Sequence, residues 1–249
     1  MLSENDKLIL SRLQTEDPAA YEMFIRREDE HRELVKAGCH DLRNITALIS
    51  GSYQLMYLTH PELNQDMRFL QMGEDIRGLV KAFNDISSFR YATTLKPAPV
   101  SLSTLLDMLN EHIDTSYPDY KEYIHIDAAR SDEVVTIDCS RVSCAVGCLI
   151  ANALEASDFN VNPASMVLVN IDTEISLDHK LLTFDVTNMG NAPTLNTIHN
   201  MTKPFYSEKS GHLGLGLAIV NETVAAVNGK LEWSHQNGMT CFTLTIPYL

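Results

Sequence analysis

A histidine, an acid and an amide stand close together in Gly38-Cys39-His40-Asp41-Leu42-Arg43-Asn44. A neutral imidazole is a competent nucleophile through its unprotonated nitrogen. An acid beside it can orient the ring and take the proton from the other nitrogen. On a helix, an amide four residues on lies over the same face, so Asn44 would sit with His40. Three more polar stretches follow in the C-terminal half. Asn152, in Asn152-Ala153-Leu154-Glu155-Ala156, falls inside an apolar stretch that begins at Cys139. Its amide must be satisfied, either by nearby backbone or as a hard oxygen ligand of Mg²⁺ between phosphates. Asn188-Met189-Gly190 puts a polar side chain at a strand end, suited to the edge of an adenine, with a glycine that lets a flat base lie against backbone. It also reads as a plain turn. Pro204-Phe205-Tyr206-Ser207-Glu208-Lys209 leads into Gly211-His212-Leu213-Gly214-Leu215-Gly216. Such glycines let backbone N–H groups approach a phosphate, and the helix they open adds positive potential. Lys209 is placed to swing over a triphosphate. Taken singly, each has a plainer reading: a helix entry, a surface lysine, a histidine on a solvated stripe.

The elements that carry these residues follow from the apolar pattern. Residues 1–18 are polar, hold Pro18 and are expected to be a loose lead-in. From about Ala19 to Thr59 there is no proline, and Val35, Gly38, Leu42, Ile45, Ile49, Ser52 and Met56 step by three and four, a heptad seam. His40 falls opposite that seam and is expected to face solvent. His60-Pro61 breaks the helix, and a second runs from about Glu62 to Tyr91. Residues 19–95 thus form an antiparallel helical hairpin with two apolar faces. A second copy would cover them in a dimeric four-helix bundle; the alternative is packing on the chain's own C-terminal part. Lys96-Pro97-Ala98-Pro99 reads as a linker. Beyond it, over residues 98–249, a helix is expected at 102–112, strands at 123–127 and 134–138, a helix at 139–157, strands at 166–171 and 181–187, a helix at 214–227, and a last hairpin turning at Asn237-Gly238. The fold class is α+β, with the hairpin followed by an α/β sandwich whose helices lie on one face of a mostly antiparallel sheet.

The 249 residues are 45% apolar and 21% charged, with a formal net charge of −14. That surface argues against nucleic acid and anionic lipid as partners. No apolar run approaches the ~18–20 residues of a membrane span, and MLSENDKLIL lacks the form of a signal peptide. The expectation is a cytoplasmic chain without membrane insertion. Five cysteines, an odd number without disulfide-like spacing, fit reduced thiols. Cys144 and Cys148 are read as apolar thiols rather than a metal site.

The order of these elements in the C-terminal half resembles the Bergerat-type ATP-binding domain of histidine kinases, gyrase, Hsp90-like chaperones and mismatch-repair ATPases. The resemblance covers about residues 98–249. It implies that Asn152 holds Mg²⁺, that Glu155 lies in the same ATP site, and that Asn188 and Gly190 face adenine. Lys209, Gly211, Gly214, Leu215 and Gly216 would surround the phosphates. The stretch around His40 resembles the histidine box of a sensor kinase. By that resemblance His40 is phosphorylated with help from Asp41, and Asn44 positions water that dephosphorylates the partner, a response-regulator receiver domain. Three positions depart from the pattern. Cys148 stands where the helix usually carries a second amide or acid, Asn188 replaces an aspartate, and Ala192 replaces a glycine. Losing the charge-assisted bond at Asn188 costs roughly 1–2 kcal/mol, about tenfold in affinity. Weak ATP binding is therefore expected. These departures also define a second expectation, a histidine phosphotransferase relaying phosphate through His40 with a degenerate ATPase-like domain. A serine kinase of the same ATP-binding type would not need the histidine hairpin.

Overall fold

The computed structural model describes residues 4–130, 132–157, 159, 166–175, 180–209 and 212–248. Chain contacts divide it into two units, Met1–Phe83 and Asn84–Leu249.

The first unit is helical. Residues 4–16, expected to be loose, form α1 (Glu4–Glu16), a stretch without proline or glycine and rich in Leu, Lys, Arg, Gln and Glu. Pro18 starts a helix instead of breaking one. It is the first residue of α2 (Pro18–Thr59), where a missing N–H costs nothing, and the Asp17 side chain accepts from Ala20 N at 3.0 Å. His60-Pro61 ends α2, but Pro61–Gln65 is a 3-10 turn and not yet the second helix. Asp66 Oδ1 then accepts from Arg68 N (2.7 Å) and Phe69 N (3.3 Å), setting the start of α3 (Met67–Tyr91). Near the turn, Tyr53 stacks on Phe69 with ring centroids 4.6 Å apart, and Ile76 and Leu63 complete the cluster. A Cβ on Gly73 would lie 2.3 Å from the Tyr53 hydroxyl, so the ring needs that glycine. The residues of α2 buried within the chain are Thr46 and Tyr53. The expected seam is a different stripe. Leu42 (46%), Ile45 (53%), Ile49 (45%) and Met56 (42%) are all exposed.

The second unit begins inside α3. Its main sheet has the order β2 (Ile124–Ala128), β4 (Val167–Ile175), β5 (Lys180–Met189), β7 (Met239–Pro247), β6 (Lys230–Gln236), with β2 and β4 parallel and the rest antiparallel. Two-stranded pairing joins β1 (Ala98–Ser101) to β3 (Val134–Ile137). The proline-rich linker thus contributes a strand, with Pro99 on an outer strand where its missing donor is tolerated. Leu102, Leu105, Leu109 and Ile113 line one face of α4 (Leu102–Ser116). They meet Val142, Val146, Leu149 and Ile150 of α5 (Cys139–Ala156), and the inward row Leu182, Phe184 and Val186 of β5. α5 has 18 residues with mean hydropathy 1.2, enough by length and composition to cross a membrane, yet half of it is buried within the chain. Asn237 and Gly238 turn β6 into β7 with φ of 53° and 76°, the signature of a two-residue hairpin. One clip ties these parts together. Asp138 Oδ1 accepts from Arg141 N (3.1 Å) at the start of α5, and its Oδ2 accepts from Lys96 N (2.7 Å).

Candidate functional site

On α2, His40 projects outward with 68% of its side chain exposed, beside Asp41 at 77%. Its Nδ1 lies 3.5 Å from Asp41 Oδ1, and Asn44 Nδ2 lies 3.3 Å from the same nitrogen. The two contacts ask for opposite tautomers, because Asp41 accepts from a protonated Nδ1 whereas an NH₂ donates to a bare one. Turning the amide over, which exchanges its oxygen and nitrogen, reconciles them. Either way, the polar contacts fall on Nδ1, and among the described residues Nε2 has none. The three residues are therefore brought together as their spacing suggested.

In the second unit the other polar groups collect at the C-terminal end of α5. Asn188 continues the inward alternation of β5, which is why it is 3% exposed. Its Nδ2 donates to Met189 O at 3.0 Å. Ser157 Oγ donates to Ala153 O (2.9 Å) and reaches Met189 O (3.4 Å), joining the helix end to the strand end. Gly190 lies against that helix end: a Cβ there would stand 2.7 Å from Ala156 O. Asn152 is half-buried on α5 and makes no hydrogen bond among the described residues.

Glu155, one turn further on, is held by the segment that follows β5. Lys209 Nζ donates to its Oε2 at 2.9 Å, and His212 Nδ1 stands 3.5 Å from its Oε1. That segment opens with α6 (Leu195–Asn200) and is braced by its own network. Asn196 Nδ2 donates to the Tyr206 hydroxyl (3.1 Å), and Tyr206 Oη and Thr197 Oγ1 donate to Glu208 Oε1 (2.7 and 2.9 Å). Those two donors hold the Glu208 carboxyl below its ordinary range, and the bond to Glu208 holds the Tyr206 phenol above its own. Gly214 has φ +66°, and a Cβ there would come within 2.2 Å of Tyr206 O, so only glycine fits. Leu215 is buried, and Gly216 opens α7 (Gly216–Ala226), whose first turn has no side-chain cap. A Cβ on Gly216 would lie 3.9 Å from that of Cys148. Gly211 lies outside the described residues.

His212, Tyr206 and Glu208 were not singled out from the sequence. The signal was present, since two cations and a Tyr-x-Glu stand within eight residues, but the partner of Lys209 and His212 is 54 residues away from Lys209. Two groups on α4 also border this site. Burial holds the His112 imidazole below its usual range, and a Cβ on Gly147 of α5 would meet its Nε2 at 2.9 Å. Burial pushes the Tyr117 phenol up to about 12, helped by the negative charge of Cys148, Glu155 and Asp85 nearby.

A family model described as histidine kinase-, DNA gyrase B- and HSP90-like ATPase matches residues 138–249. Among solved structures, the chain is similar to full-length ShkA in complex with AMPPNP, with TM-score 0.65 and 19% identity over 87% of this chain and 46% of that one. It is also similar to the Acinetobacter baumannii histidine kinase AdeS (TM-score 0.54, 16% identity, 84% and 97% covered). A third is the catalytic domain of histidine kinase ThkA (TM-score 0.51, 17% identity, 61% and 95% covered). The chain spans less than half the length of ShkA. No curated protein matches it in sequence. The C-terminal domain is thus a histidine kinase-, DNA gyrase B- and HSP90-like ATPase domain, in a chain with the α+β fold of histidine kinases.

Proposed function

We propose that this chain is a histidine kinase of a two-component system. Residues 19–95 serve as the dimerisation and phosphotransfer hairpin, and residues 98–249 bind ATP. The observation that carries the reading is His40: exposed, with Nδ1 engaged by Asp41 and Asn44 and Nε2 open, in one chain with an ATPase domain of this family. His40 Nε2 attacks the γ-phosphorus of ATP, the bond to the bridging oxygen breaks, and ADP leaves. Asp41 holds and then takes the Nδ1 proton. Catalysis is mainly positioning and charge neutralisation. Lys209, released from Glu155, and the N–H groups around Gly214, Leu215 and Gly216 face the phosphates; Asn188 and Gly190 border the adenine.

Mg²⁺ supplies charge neutralisation between the phosphates when bound. The unpartnered Asn152 amide fits such an ion as one oxygen ligand. Among the described residues no cluster of three or more His, Cys, Asp or Glu could hold a metal by itself, so phosphates and water would supply the remaining positions. The exposed stripe of Leu42, Ile45, Ile49 and Met56 supports a homodimer. The phosphoryl group then passes to an aspartate of a response-regulator receiver domain docked around His40, with Asn44 serving the reverse, phosphatase direction. We place the reaction in the cytoplasm, with no nucleic acid and no membrane insertion of this chain.

A relay phosphotransferase is the second reading, favoured by the thiol at Cys148 and by the Asn188 amide being committed to Met189 O. Incubation with γ-labelled ATP and Mg²⁺, beside a His40→Ala control, separates the two. Acid-labile label that the control lacks supports the kinase. No label from ATP, with label accepted from a phosphorylated receiver domain, moves the assignment to the relay.

A further inference from the structure

Two thiols on α5 have no part in the reaction above. Cys144 and Cys148 are one helical turn apart on one face, and both are free and half-buried. The Cys148 thiol hydrogen-bonds the Cys144 sulfur, Ser88 at the end of α3 adds a second bond, and the Arg141 guanidinium is nearby. Together they outweigh burial and the opposing charge of Asp85, and bring the Cys144 thiol down to about 6. Cys139, on the same helix, is instead pushed up by burial. Cys148 also faces the phosphate end of the pocket, with its Cβ 3.9 Å from the position a Cβ on Gly216 would take. A nucleophilic sulfur with a second thiol in hydrogen-bond contact is the arrangement of an oxidant-reactive pair.

We propose that Cys144 and Cys148 form a hydroperoxide-reactive dithiol, and that its oxidation to an intrahelical disulfide weakens nucleotide binding. The second part rests on the ATP-binding reading above. The Cys144 sulfur attacks one peroxide oxygen, the O–O bond breaks, and the departing oxygen takes a proton and leaves as water or an alcohol. Cys144 is then a sulfenic acid. The Cys148 sulfur attacks the Cys144 sulfur, the S–O bond breaks, and the thiol proton leaves with the hydroxyl as water. Two thiols lose two electrons and the peroxide gains them.

The helix makes the product strained. Residues four apart have Cα atoms about 6 Å apart, within disulfide range. Their Cβ atoms are about 5–6 Å apart, against about 3.8 Å across a disulfide. Closing the bond draws in the turn that leads to Asn152 and withdraws Cys148 from Gly216. Strain of this kind also makes the bond easy to reduce, so the change reverses with a dithiol reductant.

The test is peroxide treatment of the whole chain at neutral pH, followed by alkylation, trypsin and mass mapping. Cys144 and Cys148 share the tryptic peptide 142–180, and Cys139 lies on the one before it. The expected product is that peptide lighter by two hydrogens and unalkylated, while Cys139 is alkylated. Cys148→Ser should stop at a Cys144 sulfenic acid that dimedone traps. Alkylation of both thiols in peptide 142–180 after treatment, or reaction of Cys139 at the same rate, overturns the dithiol. Binding of trinitrophenyl-ATP is measured on the same samples, with about tenfold weakening expected on oxidation and recovery on reduction. A disulfide that leaves affinity unchanged overturns the link to the pocket. A reduced protein that binds no nucleotide overturns the ATP-binding reading and that link with it, while the mass map still decides the dithiol.

Discussion

Replacing Glu155 by Gln removes the carboxylate that Lys209 Nζ reaches at 2.9 Å and that His212 Nδ1 approaches at 3.5 Å. In the proposed kinase, Lys209 serves the phosphates, so every nucleotide that binds must draw it from Glu155. The lysine and glutamate side chains are 39% and 31% exposed, which puts the pair with solvent-screened ion pairs worth about 0.2–1 kcal/mol. The histidine arm adds to this only when protonated. Releasing up to about 1 kcal/mol corresponds to roughly two- to fivefold tighter binding, since about 1.4 kcal/mol is tenfold. Removing a negative charge beside a polyanion acts in the same direction. Calorimetric titration with an ATP analogue at low salt reads the change directly, and the gain should shrink as salt screens the pair. In a Lys209→Ala background the Glu155→Gln gain should fall away, because the coupling partner is gone. Weaker binding by Glu155→Gln would refute the reasoning and make Glu155 a direct nucleotide contact. An equal gain with and without Lys209 would show that the ion pair is not its source.

Gly214→Ala forces a side chain into φ +66° and within 2.2 Å of the Tyr206 carbonyl. We expect loss of about 1–2 kcal/mol from the backbone conformation alone, together with loss of nucleotide affinity, read by thermal unfolding and by the same titration. Glu133 accepts from Thr173 Oγ1 and Tyr248 Oη, which hold its carboxyl below the usual 4.5. Its contribution is therefore complete above that value and lost as pH falls through the lower, folded-state value. Denaturant unfolding of Glu133→Gln should show a deficit of about 1 kcal/mol near neutrality that closes toward acid pH; a deficit constant with pH would refute the charge's part. Asn44→Ala should leave autophosphorylation of His40 intact and slow dephosphorylation of the receiver partner, measured as release of inorganic phosphate. Equal loss of both would remove the role assigned to the amide.

Much of the ATPase domain is legible because its signals are local. Leu102, Leu105, Leu109 and Ile113 step at helical spacing, and Asn237-Gly238 requires two positive φ values that few other pairs supply. Asn188 follows from simple alternation after Leu182, Phe184 and Val186. Proline misled twice. Pro18 starts α2 under the Asp17 cap, and Pro99 sits in β1 opposite Thr136, where a linker was expected. In both places the missing N–H had no partner to lose. The heptad seam on α2 is present in the residue pattern, but the stripe buried within the chain runs through Thr46 and Tyr53, and only the partner helix decides that. The clasp of Lys209 on Glu155 and the bond from Ser88 to Cys144 join residues more than fifty positions apart, and no spacing rule reaches them.

The two-armed Asp138 carboxylate bears on how this chain can be taken apart and recombined. One arm seats the first turn of α5 and the other holds the backbone at Lys96; a few residues earlier, Arg141 lies over the Tyr91 ring at 5.7 Å. A cut at the prolines, where a sequence alignment would place the joint, strips the ATPase domain of both contacts and of Ser88. A cut after Phe83 keeps them. As a transferable module, this domain therefore includes the last two turns of the helix before it, and a foreign hairpin grafted onto it has to splice into a helix in phase rather than into a loop.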